Sequence, residues 1–149
     1  MKLLIMTKHY ILITSFIGLI ACFNQAYAGD GVRVIAHADQ ELPMLSKQEI
    51  VNLFMGGASQ FNLSPLELPP GNEHRAIFNT MVVGLTEARI QSYWAQMRFS
   101  GRMRPPMMLD DESDVLAYVR QNSGTIAYVS SAAELPENVQ VIFEIHLSN

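Results

Sequence analysis

Apolar residues in this chain recur at two alternating spacings, every second residue and then every third or fourth, which predicts strands separated by helices. Residues 32–38 form a short strand with Val32, Val34, Ala36 and Ala38 on one face. Ser46-Lys47-Gln48-Glu49 has the form of a capping box, Ile50, Leu53 and Phe54 make one buried helical stripe, and Gly56-Gly57 is the stop. Residues 63–68 read as a second strand. The following helix turns Ile77, Phe78, Met81 and Val82 toward a core and ends at Gly84, and Thr86 caps another in which Ile90, Tyr93, Trp94 and Met97 recur. Residues 99–108 read as a loop. Asp110 or Asp111 then caps a helix with Val115, Leu116 and Val119 inward, ended near Asn122 and Gly124. Residues 125–130 are an apolar buried strand, and residues 139–145 a last strand with Val139, Val141, Phe143 and Ile145 on one side. Strands alternating with helices favour an α/β fold, a sheet with helices on its faces.

The first 28 residues follow a different pattern. Lys2 and Lys8 give a positive start, residues 10–21 are almost wholly apolar, and Ala26-Tyr27-Ala28 has the small-x-small form of a signal-peptidase site before Gly29. The apolar run falls short of the ~20 residues that span a bilayer. A cleaved signal peptide over residues 1–28 is therefore expected, with one domain over residues 29–149 in the periplasm. Leu19-Ile20-Ala21-Cys22 also resembles a lipobox, so lipid anchoring at Cys22 is the alternative. Cys22 is the only cysteine. The domain must therefore be stable without disulfides.

Removing the leader takes away two lysines and no acids, leaving 8 basic against 14 acidic residues and a net charge of −6. Such a balance argues against a nucleic-acid binder, whose affinity rests on neutralising phosphates. The remaining length supports one core and not two.

Chemistry concentrates in two places. Leu68-Pro69-Pro70-Gly71-Asn72-Glu73-His74-Arg75 passes from a strand end into the first turn of a helix, where unpaired N–H groups and the macrodipole favour an anion. A plain connection, with the prolines ending the strand and Asn72 as cap, explains the same residues. The second place is the loop carrying Arg98, Arg102 and Arg104 around Gly101. Folded over the Asn72 helix start, it would supply charge-assisted donors to an anion; the alternative is a solvated loop. Met103, Met107 and Met108 nearby are either partner-binding surface or gap fillers on the core. His37, His74 and His146 are not spaced for a metal, the pair His37 and Asp39 falling short of the three or four ligands required, and no metal or other cofactor is expected. The acidic run Asp110, Asp111, Glu112 and Asp114 lacks the glycine and terminal glutamate of a calcium loop. Neither Ser123-Gly124 nor Ser130-Ser131 lies in a nucleophile elbow. No acid, base and nucleophile set assembles, so an enzyme is not expected.

Two stretches resemble a known family. Leu45-Ser46-Lys47-Gln48-Glu49-Ile50-Val51-Asn52-Leu53-Phe54-Met55-Gly56 is similar to a helix and glycine stop of phosphate-type periplasmic substrate-binding proteins of ABC transporters, and Ser123-Gly124-Thr125-Ile126-Ala127-Tyr128-Val129 resembles their late Pro-Gly-Ala-Ile-Gly-Tyr-Val strand. The resemblance runs from about Val32 to Ile145. It implies a single periplasmic-binding-protein-like lobe with a mixed sheet, and an extracytoplasmic role in binding phosphate or another oxyanion for transport or sensing. The turn of Gly71, Asn72, Glu73, His74 and Arg75 falls where the family places its anion-binding loop, and together with Arg102 of the arginine loop, as a replacement for the family's arginine, it makes up the candidate ligand-binding residues. Two departures accompany it. The family has two lobes and this chain has the length of one, so two copies in a homodimer would be needed to recreate a cleft. Of the family's pocket sequence Arg-Ser-Asp-Gly-Ser-Gly-Thr only the glycine persists, at Gly71. Each lost charge-assisted hydrogen bond is worth ~1.5–3 kcal/mol, so losing three or four turns a micromolar site into a millimolar one. The expected partners are thus a small phosphate-like anion held weakly, or a membrane transporter or envelope protein if the lobe is an accessory interaction module.

Overall fold

The computed structural model describes residues 31–39 and 41–146; the expected leader, the lipobox and the start at Gly29 lie outside the described residues. Strands β1 (Gly31–His37), β2 (Ser64–Glu67), β3 (Met107–Met108), β4 (Thr125–Ser130) and β5 (Val139–His146) form one mixed sheet in the order β3-β2-β4-β1-β5. β1 runs antiparallel to β4 and β5, whereas β2 is parallel to β4 and to β3. Along β1, Val32, Val34, Ile35 and Ala36 are all buried, and β4 is buried from Thr125 to Val129. Successive buried positions require cover on both faces. The one-sided face expected for β1 is corrected accordingly: Ile35 is as buried as its neighbours, and Ala38 lies beyond the strand in a turn.

A second correction concerns β5. Val34 stands opposite Phe143 but Ile35 opposite Val141, so Ile142 is the extra residue of a bulge. The bulge resets the alternation and turns Ile142 into the core, while Val141, Phe143 and Ile145 are only partly buried. Its carbonyl, freed from the ladder, accepts from Leu45 N at 2.7 Å.

The helices begin where side-chain caps stand. Ser46 accepts from Glu49 N at the start of α1 (Lys47–Met55), and Gly56, at φ 71°, closes it. Only half of a capping box forms, because the Glu49 carboxylate accepts from the Ser59 hydroxyl instead. Asn72 caps α2 (Glu73–Ile77), which continues without a break as a π-helical segment over Phe78–Val83 up to Gly84. Thr86 caps α3 (Glu87–Phe99), and Asp111 caps α4 (Glu112–Gln121). The expected loop over residues 99–108 is shorter than the pattern implied, since α3 includes Phe99 and β3 pairs with β2. At the centre, Phe78 stacks on Tyr128 with ring centroids 4.1 Å apart, and Phe54 meets Phe78 at 4.7 Å. These contacts press α1 and the π segment against β4. No helix among the described residues is long and apolar enough to cross a membrane.

Candidate functional site

β2 and β4 are parallel, and α2 follows β2 closely. In such sheets ligands sit in the crevice outside the carboxyl ends of the strands, where helices begin. Here that region contains Leu68 to Arg75 after β2, the end of β4 at Ser130, and the first turn of α4. Gly71 takes φ 92°, a turn conformation that a side chain would strain. Asn72 N donates to Pro69 O at 3.1 Å, and Asn72 Oδ1 accepts from Arg75 N at 3.1 Å. Glu73 is exposed.

Arg75 does not reach outward. The residue is 3% exposed and points back between β2 and α3. Its Nε and Nη2 donate to Glu87 Oε2 and Oε1 at 2.7 and 2.9 Å, a two-pronged contact, and Nη1 donates to Leu68 O at 2.6 Å. The same Nη1 lies 3.0 Å from Glu67 Oε2. Burial works against the guanidinium charge, but the Glu87 hydrogen bonds and the Glu67 charge overcome it and raise the Arg75 pKa above the ordinary arginine value. Arg75 hydrogen bonds hold the Glu87 carboxyl below its usual range, and burial raises that of Glu67 despite the nearby cation. Glu87 also accepts from Asn79 Nδ2 at 2.8 Å and from Gln91 Nε2 at 3.0 Å. One cation faces two carboxylates, so this cluster repels an incoming anion.

The strand-end crevice is occupied from within. Glu112 Oε2, on the first residue of α4, accepts from Ser130 N at 2.6 Å and stands 3.5 Å from His74 Nδ1. A backbone N–H at the end of β4 and the expected ligand residue His74 thus already have a carboxylate. Arg102 is remote from this set: it lies exposed on the loop and lines an opening with Arg98, Met103 and Arg104. Arg98, expected in the loop, sits in the last turn of α3 and lines the groove of about 480 Å³ with Glu67, Pro70, Arg75, Trp94 and Met108. The structure therefore brings Asn72 to Arg75 and His74 to Glu112, and leaves Arg102 apart.

Glu67 and Glu87 escaped the sequence reading, and Glu112 entered it only as part of an acidic run, without its partners His74 and Ser130. Glu67 carried a signal, a charge between Leu66 and Leu68 in an apolar strand. The other two acids sit in first turns of helices, where the dipole alone accounts for them. At the opposite end of β4, Ser123 donates to Asp39 Oδ2, and His37 Nδ1 stands 3.1 Å from Asp39 Oδ1. The Ser123 hydrogen bond holds the Asp39 carboxyl below its usual value. The carboxylate lies between hydroxyl and imidazole, the wrong order for an imidazole to take a proton from the serine. Among the described residues no three His, Cys, Asp or Glu converge as a metal site.

No family model matches the chain, and none of the curated proteins compared with it does. Solved structures share its fold, two of them as follows. An ABC-type phosphate transport receptor from Vibrio cholerae superposes with a TM-score of 0.55 at 13% identity, over 78% of this chain and 47% of that one. A putative phosphate ABC transporter substrate-binding protein with bound phosphate, from Clostridium perfringens, gives 0.57 at 16% identity, over 77% and 45%. The chain spans less than half the length of either. The mixed sheet with helices packed against it is that of a phosphate-binding-protein lobe.

Proposed function

We propose that the chain is an extracytoplasmic lobe of the binding-protein type that works as an accessory or interaction module and does not by itself capture phosphate tightly. The observation that carries this is the filled crevice: Arg75 is enclosed by Glu67, Glu87 and the Leu68 carbonyl, and Glu112 sits on Ser130 N beside His74. An oxyanion entering there must displace a carboxylate and approach a cluster of net negative charge. Calorimetry and thermal shift with phosphate, sulfate, phosphonates and carboxylates, run beside a known phosphate binder, test it. The expected result is no specific stabilisation at millimolar anion. A saturable phosphate response abolished by changes at His74 or Asn72 would overturn it.

A second reading, weak anion binding for transport or sensing, is favoured by Arg98, Arg102 and Arg104, which have no carboxylate at ion-pair distance among the described residues. Its signature is a weak anion response lost in Arg102→Ala and unaffected by His74→Ala.

A further inference from the structure

The free edge of the sheet carries a polarity of its own. Leu109 N donates to Glu67 O at 3.0 Å, and Glu67 stands opposite Met108. Residues 107 and 109 therefore face β2, and the N–H and C=O of Met108 point away from it. Among the described residues no strand pairs with β3 on that outer side. Met107 and Met108 are 43% and 47% exposed, far above ordinary core methionines. Arg102 and Arg104 precede them, and Asp110 and Asp111 follow. Neither Arg104 nor Asp110 has an ion-pair partner among the described residues. The edge thus reads cationic, apolar, anionic along one line.

Such a line complements its own reverse. We propose that two copies of this chain pair edge to edge through β3, antiparallel about a two-fold axis at Met108. In that arrangement the Met108 N–H and C=O of one copy meet those of the other, and the methionines cover one another. The arginine end of each copy falls along the aspartate end of its partner. The interface is isologous, so it closes after two copies. Pro105 and Pro106, which have no N–H to donate, fall opposite residues 111 and 110 of the partner copy and confine the ladder to the Met108 pair. The pairing goes beyond the accessory-module reading, since it neither requires nor forbids an anion.

Sedimentation velocity and light scattering on the protein recovered from expression of the full chain supply the first measurement: a dimer is expected, weakened by added salt. Arg104→Asp and Asp110→Arg should each raise the dimer dissociation constant about tenfold or more, and the double reversal should restore it, because in this register Arg104 of one copy stands diagonally, two positions along, from Asp110 of the other, within reach of a long side chain. In a Cys22→Ala background, Met108→Cys should cross-link under mild oxidation, since directly opposed strand residues lie within disulfide reach. Met44→Cys, at a comparably exposed apolar position, should not. A parental far-ultraviolet circular dichroism spectrum and a cooperative melt establish that the variants fold, any fall in melting temperature being that of a lost dimer contact. The inference is overturned by a monomer at every concentration in low salt, by a dimer indifferent to both charge reversals, or by capture of an acidic envelope protein on β3 with no self-association.

Discussion

Arg75 gains two carboxylates and a carbonyl by turning inward, and its removal would leave Glu67 and Glu87 facing each other without a cation. Breaking a buried pair of this kind costs about 3–5 kcal/mol, so Arg75→Met should lower the urea midpoint sharply. Arg75→Lys should recover only part of that, because an ammonium cannot make the two-pronged contact to Glu87. A variant of parental stability that had lost anion binding would instead mark Arg75 as a ligand residue. The acids divide by sign. Glu87 is held below its ordinary 4.5, so its contribution is fully present above about pH 4.5 and is lost as pH falls through the depressed folded value. Glu67 is raised by burial, so its contribution is largest in acid and is lost as pH rises through its folded value. Glu87→Gln should therefore be less stable than the parent at pH 7, with the gap narrowing below about pH 4.5 in urea titrations at stepped pH.

Among the elements, the starts were legible and the distortions were not. Ser46, Asn72, Thr86 and Asp111 all cap the helices that their positions announced, because a cap is a local device of one side chain and an N–H three residues on. The bulge at Ile142 depends on the register of β1, which no pattern within β5 encodes. β3 is only two residues long, too short to show a period. Partners of Arg75 on β2 and α3 are likewise a matter of packing, and in sequence Arg75 resembles any polar helix residue. The methionines divide in the same way: Met103 folds against Gly56, whereas Met107 and Met108 stay exposed. A Cβ on Gly56 would lie 2.5 Å from Met103 Sδ. The thioether is the far end of a flexible side chain and can move aside, so Gly56→Ala should cost about the ~1–2 kcal/mol of a left-handed alanine, nearly unchanged in a Met103→Ala background, as a double-mutant cycle of denaturation energies would show.

At the scale of the molecule, one lobe carries an acidic balance and a crevice already supplied with a carboxylate. The lobe fold was legible from the order of its flanking helix and late strand; the state of the crevice was not, because Glu112 is 38 residues from His74 and meets it only through the parallel pairing of β2 with β4. The anion screen accordingly separates two kinds of lobe, one open to a solute and one closed by itself. Glu112 makes the second kind quantitative. It is tethered to the fold, so the Ser130 amide sees it at an effective concentration set by chain geometry, of order millimolar or higher, at all times. A dissolved anion making the same contact competes against that standing concentration and must exceed it to take the amide. The resting lobe is in this sense already liganded, by a competitor that dilution never removes.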